Sequence, residues 1–225
     1  MSWLTPGGSA AALLVGGAVW WGLGWRGLIP LFAFLLSGSL LTRLATGSGP
    51  RRTAAQVLAN GGVAAVAAAL GRWPAALGAL AAAAADTWAT EIGSFSPTPP
   101  RLITTLARVS PGRSGGITPL GTIGGAAGAA AIAVCALVAP AVGRPGLVAT
   151  VTAGIVGMLV DSLLGATVQA RYACPSCGAV MERADPCHEP VELVRGMRWM
   201  GNDAVNLAGS LAGALVAGLW PRTWT

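Results

Sequence analysis

Carboxylates set into apolar runs constrain this chain more than any other feature. The stretch Ala81 to Phe95, AAAAADTWATEIGSF, places Asp86 and Glu91 at the end of an alanine run otherwise suited to lipid or close helix packing. Even lenient insertion scales charge roughly 2.5 to 3.5 kcal/mol for a carboxylate at a helix centre, so an intramembrane Asp is a functional candidate by default. Asp161, in GMLVDSLLGATVQA, and Asp203, in MGNDAVNLAGS, sit at the edges of similar runs. If these three acids meet near one membrane face, they form a site for a hard divalent cation and the phosphates it carries. The plain alternative for Asp86 and Asp161 is a helix-to-helix hydrogen bond or a surface position.

Composition fixes the class. Of 225 residues, 54% are hydrophobic and 10% charged, and the mean hydropathy is +0.66. The expectation is an all-α, polytopic membrane helix bundle in a single domain, residues 1–225. Runs near the length of a bilayer span are Ser9 to Trp25, Leu28 to Leu41, Ala54 to Leu70, Ala75 to Ile92, Ile123 to Val142, Leu147 to Val168 and Ala204 to Trp220. That makes about seven transmembrane segments, or six if the short second run does not cross. The N-terminal stretch lacks the charged region of a cleavable signal peptide, so its first run is expected to be a mature helix.

All 14 basic residues are Arg, and the net charge of +6 is explained by orientation in the bilayer rather than by nucleic acid, because no basic face is present. Ten arginines fall in the loops Thr42 to Thr53, Gly93 to Thr122 and Gln169 to Asp203, against four on the other side. The long loops are therefore expected in the cytoplasm. Gly124 with Gly128, and Gly209 with Gly213, allow close helix contact within the bundle or a homodimer seam.

Several polar residues accompany the acids. Asp161, Gly165 and Gln169 share a helical stripe, whereas Glu91 lies about 140° round the helix from Asp86 and converges with it only if the helix unwinds near Gly93. Asn202 and Asn206 flank Asp203, with Asn202 also a candidate N-cap. Asn60, followed by Gly61 and Gly62, predicts a helix break that lines a cavity. The loop from Ala107 to Gly125, ARVSPGRSGGITPLGTIGG, is a candidate phosphate cradle. Arg113 supplies a forked cation, Ser114 and Thr118 hydroxyls, and Gly115 and Gly116 freely aimed backbone N–H groups. A flexible turn is its plain alternative.

Cys135 is isolated in an apolar run and reads as packing. Cys174 and Cys177 form a C-x-x-C knuckle followed by Cys187 and His188, in a cytosolic insertion over 171–198. Structural Zn²⁺, redox chemistry and free thiols are all open to this set, and the adjacent second pair strains closure around one ion.

Five segments in order, ANGG, ADTWATEIG, RSGGITPLGTIGG, VDSLLGATVQARYACPSC and GNDAVNL, resemble a family of integral membrane proteins. That family includes the plant phytyl-phosphate kinases and human transmembrane protein nineteen. A more distant similarity is to CTP-dependent phytol and dolichol kinases and to membrane cytidylyltransferases. The resemblance implies phosphoryl transfer from a nucleoside triphosphate, with CTP expected, to a prenyl monophosphate lipid, giving the diphosphate at the cytosolic face of a bacterial inner membrane. It implies catalytic roles for Asp86, Glu91, Asp161 and Asp203. Asp86, Asp161 and Asp203 would hold Mg²⁺, while Asn60, Arg113, Ser114, Gly115, Gly116, Thr118, Gln169, Asn202 and Asn206 would bind nucleotide and substrate. The chain departs from the family pattern in RSGGIT, where an Asn is expected before the glycine pair, and in the order Cys187 then His188. The rival readings are a transporter of a small or lipidic anion and a noncatalytic scaffold organised by the cysteine knuckle.

Overall fold

The computed structural model describes residues 3–47, 51–138, 143–182 and 190–220. The protein is an all-α bundle. Its helices are α1 (Pro6–Thr46), α2 (Ala54–Ala69), α3 (Trp73–Gly93), α4 (Pro119–Cys135), α5 (Arg144–Thr167) and α6 (Asn202–Leu219). Helix α1 is two arms: Gly24, at φ 67° and ψ −168°, breaks it. A straight helix of 41 residues would run about 60 Å, yet the Arg43 guanidinium lies 4.9 Å from the centre of the Trp3 ring. The arms must therefore fold back on each other, and only a residue without Cβ adopts that left-handed backbone cheaply. Among the described residues the apolar runs accordingly centre on helices, the first two on the two arms of α1. The second, expected to be short, continues to Thr46.

The distribution of side-chain sizes is the reverse of a soluble core. Ala76 through Ala85 of α3 are all buried, while Leu13, Trp21, Leu70, Ile123, Val148 and Leu219 are more than half exposed. Water would drive those large groups inside. Hydrocarbon does not, and helices in lipid instead associate through small residues that let backbones approach. By length and composition, α1 and α5 are long and apolar enough to cross a membrane, and α2 and α4 are shorter apolar helices.

Helix α3 touches each of the other five. Its alanines permit this, and glycines opposite them complete the fit. Gly124 and Gly128 of α4 meet Ile92, Ala84 and Trp88, while Gly209 and Gly213 of α6 meet α5 and α3 respectively. Both glycine pairs are thus used inside the bundle.

Asn60 to Gly62 do not break α2, which continues from Ala54 to Ala69. The Asn60 amide donates to the Gln56 carbonyl at 3.0 Å, so its own helix satisfies it without unwinding. Gly61 is where Val15 of α1 packs closely against α2.

Among the described residues, Arg52 lies beside Thr5 and Glu91 and Ser114 bonds to Glu182, so the connections after the second arm of α1, after α3 and after α5 share one end of the bundle. Two small antiparallel sheets form there. One pairs β1 (Arg101–Leu102) with β2 (Gly116–Ile117). The other has the order β4, β3, β5, from β3 (Arg171–Ala173), β4 (Val180–Met181) and β5 (Glu192–Arg195).

Candidate functional site

Four polar side chains enter the bundle at similar depths below this loop-bearing end. Asp86 is seven residues before the end of α3 at Gly93, and Asp161 is six before the end of α5 at Thr167. Asn60 is six past the start of α2 at Ala54, and Asn206 four past the start of α6 at Asn202. At 1.5 Å per residue all lie about 6 to 10 Å inside. They line one tight, closely packed cleft together with Gly157, Gly209 and Ser210.

The glycines make this meeting possible. The position of a Cβ on Gly209 is only 3.3 Å from Asp161 Cβ, and one on Gly157 would stand 2.7 Å from the Gly209 carbonyl oxygen. Asp86 and Asp161 line the same cleft, while Asp161 Oδ2 and Ser210 Oγ are buried without a partner. Two carboxylates, two amides and a hydroxyl give an oxygen-only donor set, which suits a hard divalent cation such as Mg²⁺.

Asp203 stands apart from this pair. It lines an outer pocket of about 480 Å³ with Tyr172, Glu182, Arg198, Trp199 and Asn202, a volume in the range of small-molecule sites. Asp203 lies in the first turn of α6, three residues and about one helical turn outward from Asn206. The third acid thus joins the mouth of the site, not its floor. Asn202 does not cap α6. Gly201 takes that position, which leaves the Asn202 side chain on the pocket wall.

The glycine-rich loop folds onto the end of α5. Gly165 lies under it, its Cβ position 3.0 Å from the Gly115 nitrogen and 3.1 Å from Ser114 Cβ. Glu182 closes the arrangement. Its Oε1 accepts from the Ser114 N–H at 2.9 Å, and its Oε2 accepts from the Ser114 hydroxyl at 2.5 Å and from the Gln169 amide at 3.1 Å. Gln169 is buried just past the end of α5 at Thr167, its Oε1 3.3 Å from the Cβ position of Gly165. Gly116 pairs in β2. Thr118 is the N-cap of α4, accepting from the Gly121 N–H at 2.9 Å.

Glu91 lies elsewhere. Helix α3 runs unbroken to Gly93, so Glu91 stays on the face toward α1, where it accepts from Thr42 Oγ1 at 2.6 Å. Burial lowers the pKa of Arg52 and the Glu91 carboxylate raises it. This ties the second arm of α1 and the start of α2 to α3. Glu91→Gln is expected to cost about 1.5 to 3 kcal/mol, the range for hydrogen bonds to charged groups, read as a lower melting temperature of the detergent-solubilised protein.

The cysteine knuckle occupies the turn between β3 and β4. Cys174 is buried and Cys177 exposed, the Cys174 N–H donates to the Ala179 carbonyl at 2.9 Å, and Gly178 takes φ 70°. Cys187 and His188 lie outside the described residues. Among the described residues, no cluster of three or more His, Cys, Asp or Glu is placed to hold a metal.

Glu182, Tyr172, Arg198 and Trp199 are the site residues that sequence reasoning missed. Glu182 is 68 positions from Ser114, and no local pattern announces the pairing. Trp199 and Arg198 could have been suspected from their nearness to the GND motif.

The family model described as integral membrane protein DUF92 matches residues 1–214. The chain is 27% identical to an uncharacterised membrane protein of Synechocystis, over 95% of this chain and 81% of the relative. It is 31% identical to Protein PGR of Arabidopsis thaliana over 56% of this chain and 46% of that protein. An uncharacterised membrane protein of Methanocaldococcus jannaschii is 36% identical over 64% of this chain and 65% of its own length. No solved structure matches.

Proposed function

The chain belongs to the DUF92 family of integral membrane proteins, and from that premise we propose that it is a membrane-embedded phosphotransferase. Its substrates are a prenyl monophosphate and a nucleoside triphosphate, CTP by the resemblance to phytyl-phosphate kinases. The observation that carries the reading is the Asp86 and Asp161 pair, set with Asn60 and Asn206 beneath a polar pocket large enough for a nucleotide.

In this reading the seven helical segments cross the bilayer and the arginine-rich end faces the cytoplasm. Asp86 and Asp161, with the side-chain oxygens of Asn60 and Asn206, would hold Mg²⁺, which would supply positive charge against the phosphate oxygens. Arg198, Arg113 and the amides of the glycine-rich loop position the phosphates. The bond from the terminal phosphorus to its bridging oxygen breaks, and a bond to an oxygen of the acceptor phosphate forms. A nucleoside diphosphate leaves. The acceptor is already an anion, so no residue need remove a proton. Asp203 and Asn202 stand where the nucleotide enters, and the prenyl chain lies along alanine- and leucine-rich helix faces. A structural Zn²⁺, if the knuckle takes one, would have Cys174 and Cys177 as two of its ligands.

Placement of the acids near one end, with α2 and α3 unbroken beside them, supports an enzyme over a transporter with a midplane site. The test is phosphoryl transfer by detergent-purified protein to phytyl or geranylgeranyl monophosphate with Mg²⁺ and each of the four triphosphates. Diphosphate formed with one preferred nucleotide is expected. A folded protein that turns over none of these combinations would overturn the reading and make lipid-anion flux in liposomes the next measurement.

A further inference from the structure

We infer that Ser114, Gln169, Arg113 and Arg171 form a phosphate-binding subsite whose resting occupant is the protein's own Glu182 carboxylate. The inference rests on the phosphotransferase reading for the identity of its ligand, a phosphate group of a nucleotide or lipid substrate. Its geometry stands independently.

The cradle is built for an oxyanion. One backbone N–H, one hydroxyl and one amide N–H converge on the two oxygens of Glu182 at 2.5 to 3.1 Å. Two of these donors come from the glycine-rich loop, and the third, Gln169, is 1% exposed. A carboxylate and a phosphate present oxygens at similar spacing, so donors that satisfy one satisfy two oxygens of the other.

The cradle also carries more positive charge than one carboxylate balances. Arg171 feels Arg113, Arg195 and Glu182 together. Burial is the main cause of its lowered pKa, Arg113 and Arg195 lower it further, and Glu182 opposes them. The Nε atoms of Arg113 and Arg171 are both buried without a partner. A clasp evolved only to hold the insertion would have consumed those donors, since leaving buried polar groups unsatisfied is costly. A phosphate, with a third oxygen and more charge, can use them.

Exchange has a route. Glu182 follows the short strand β4 (Val180–Met181) and lines the outer pocket beside Arg198, Asn202 and Asp203. An entering phosphate therefore meets the carboxylate directly, and like-charge repulsion in a partly desolvated site favours its departure. Glu182 thus keeps the cationic cradle neutralised between turnovers and competes with weakly bound anions.

The test is binding of inorganic pyrophosphate to the full chain in nanodiscs, by isothermal titration calorimetry in EDTA so that no metal bridges the ligand. Glu182→Gln is expected to tighten binding about tenfold, because displacing a neutral amide costs less than displacing a paired charge. Glu182→Asp, which keeps the charge on a shorter arm, is expected to tighten it less, and Ser114→Ala to weaken it. Equal or weaker pyrophosphate binding in both Glu182 variants, with melting curves that show them folded, would overturn the proposal. Should Glu182→Gln fail to fold, Glu182→Asp decides alone. Tighter binding without lipid turnover would keep the subsite and remove the kinase reading. Turnover with unchanged pyrophosphate affinity would do the reverse.

Discussion

Asp86→Asn and Asp161→Asn are each expected to reduce diphosphate formation about 10³-fold or more while leaving the protein at least as stable as the wild type. The two carboxylates share one tight cleft, with Asp161 Oδ2 buried and unpartnered. Two like charges in that space repel, and neutralising one relieves the repulsion. An Asn at either position also gives the remaining carboxylate a donor that the wild-type pair lacks when both are ionised. A structural carboxylate behaves in the opposite way: removing it costs stability. Initial rates and melting curves on the same preparations separate the cases. Mg²⁺ should raise the melting temperature of the wild type, because a ligand that binds only the folded state stabilises it. That increment should disappear in both variants. Variants that melt well below the wild type in EDTA, or that keep the Mg²⁺ increment, would show the pair to be packing and not a metal site.

The part of this arrangement that could be read from sequence is the part written along single helices. Asp86 stood out because it ends an alanine run where nothing else is polar, and that run proved to be the helix all others pack on. The expected stripe from Asp161 reaches Gly165 on α5, but Gln169 falls past the end of that helix at Thr167. Sequence did not reveal where distant segments meet. The triad of acids divides because Asp203 is one turn nearer the loops than Asn206, a difference visible only once α6 is seen to start at Asn202. Glu91 turned out to belong to Thr42 and Arg52, which are distant from it in the sequence and come from the end of α1 and the approach to α2. Asn60 looked like a helix breaker because two glycines follow it. In the bundle those glycines face Val15 or open space, and the amide bonds back into its own helix. The fold-back of α1 at Gly24 was legible as a gap between two apolar runs, but not as a turn made by a single residue.

Gly78→Leu is expected to prevent assembly of the bundle, and Gly78→Ala to destabilise it by about 1 to 3 kcal/mol, the range for overpacking a tight contact. Gly78 is where α3 crosses α6. A Cβ there would press against the Gly213 carbonyl and stand 2.6 Å from Ala217 Cβ. Backbone cannot step aside as a flexible side chain can, so the helices must separate. Gly17 provides the control. It is exposed on α1 and has nothing within 4 Å of its Cβ position, so Gly17→Leu should add one more lipid-facing side chain and leave melting nearly unchanged. Fluorescence-detected size-exclusion chromatography with a temperature ramp distinguishes the two. The crossing also sets chemistry, because the same α3 and α6 that touch at Gly78 carry Asp86 and Asn206 about two turns away. Gly78→Ala protein that survives purification should therefore lose turnover in greater proportion than it loses folded material, since a displacement of about 1 Å is enough to spoil alignment at a phosphoryl-transfer site. Equal melting of Gly78→Leu and Gly17→Leu would mean that α6 does not pack on α3 as described, and the shared cleft would lose its physical basis.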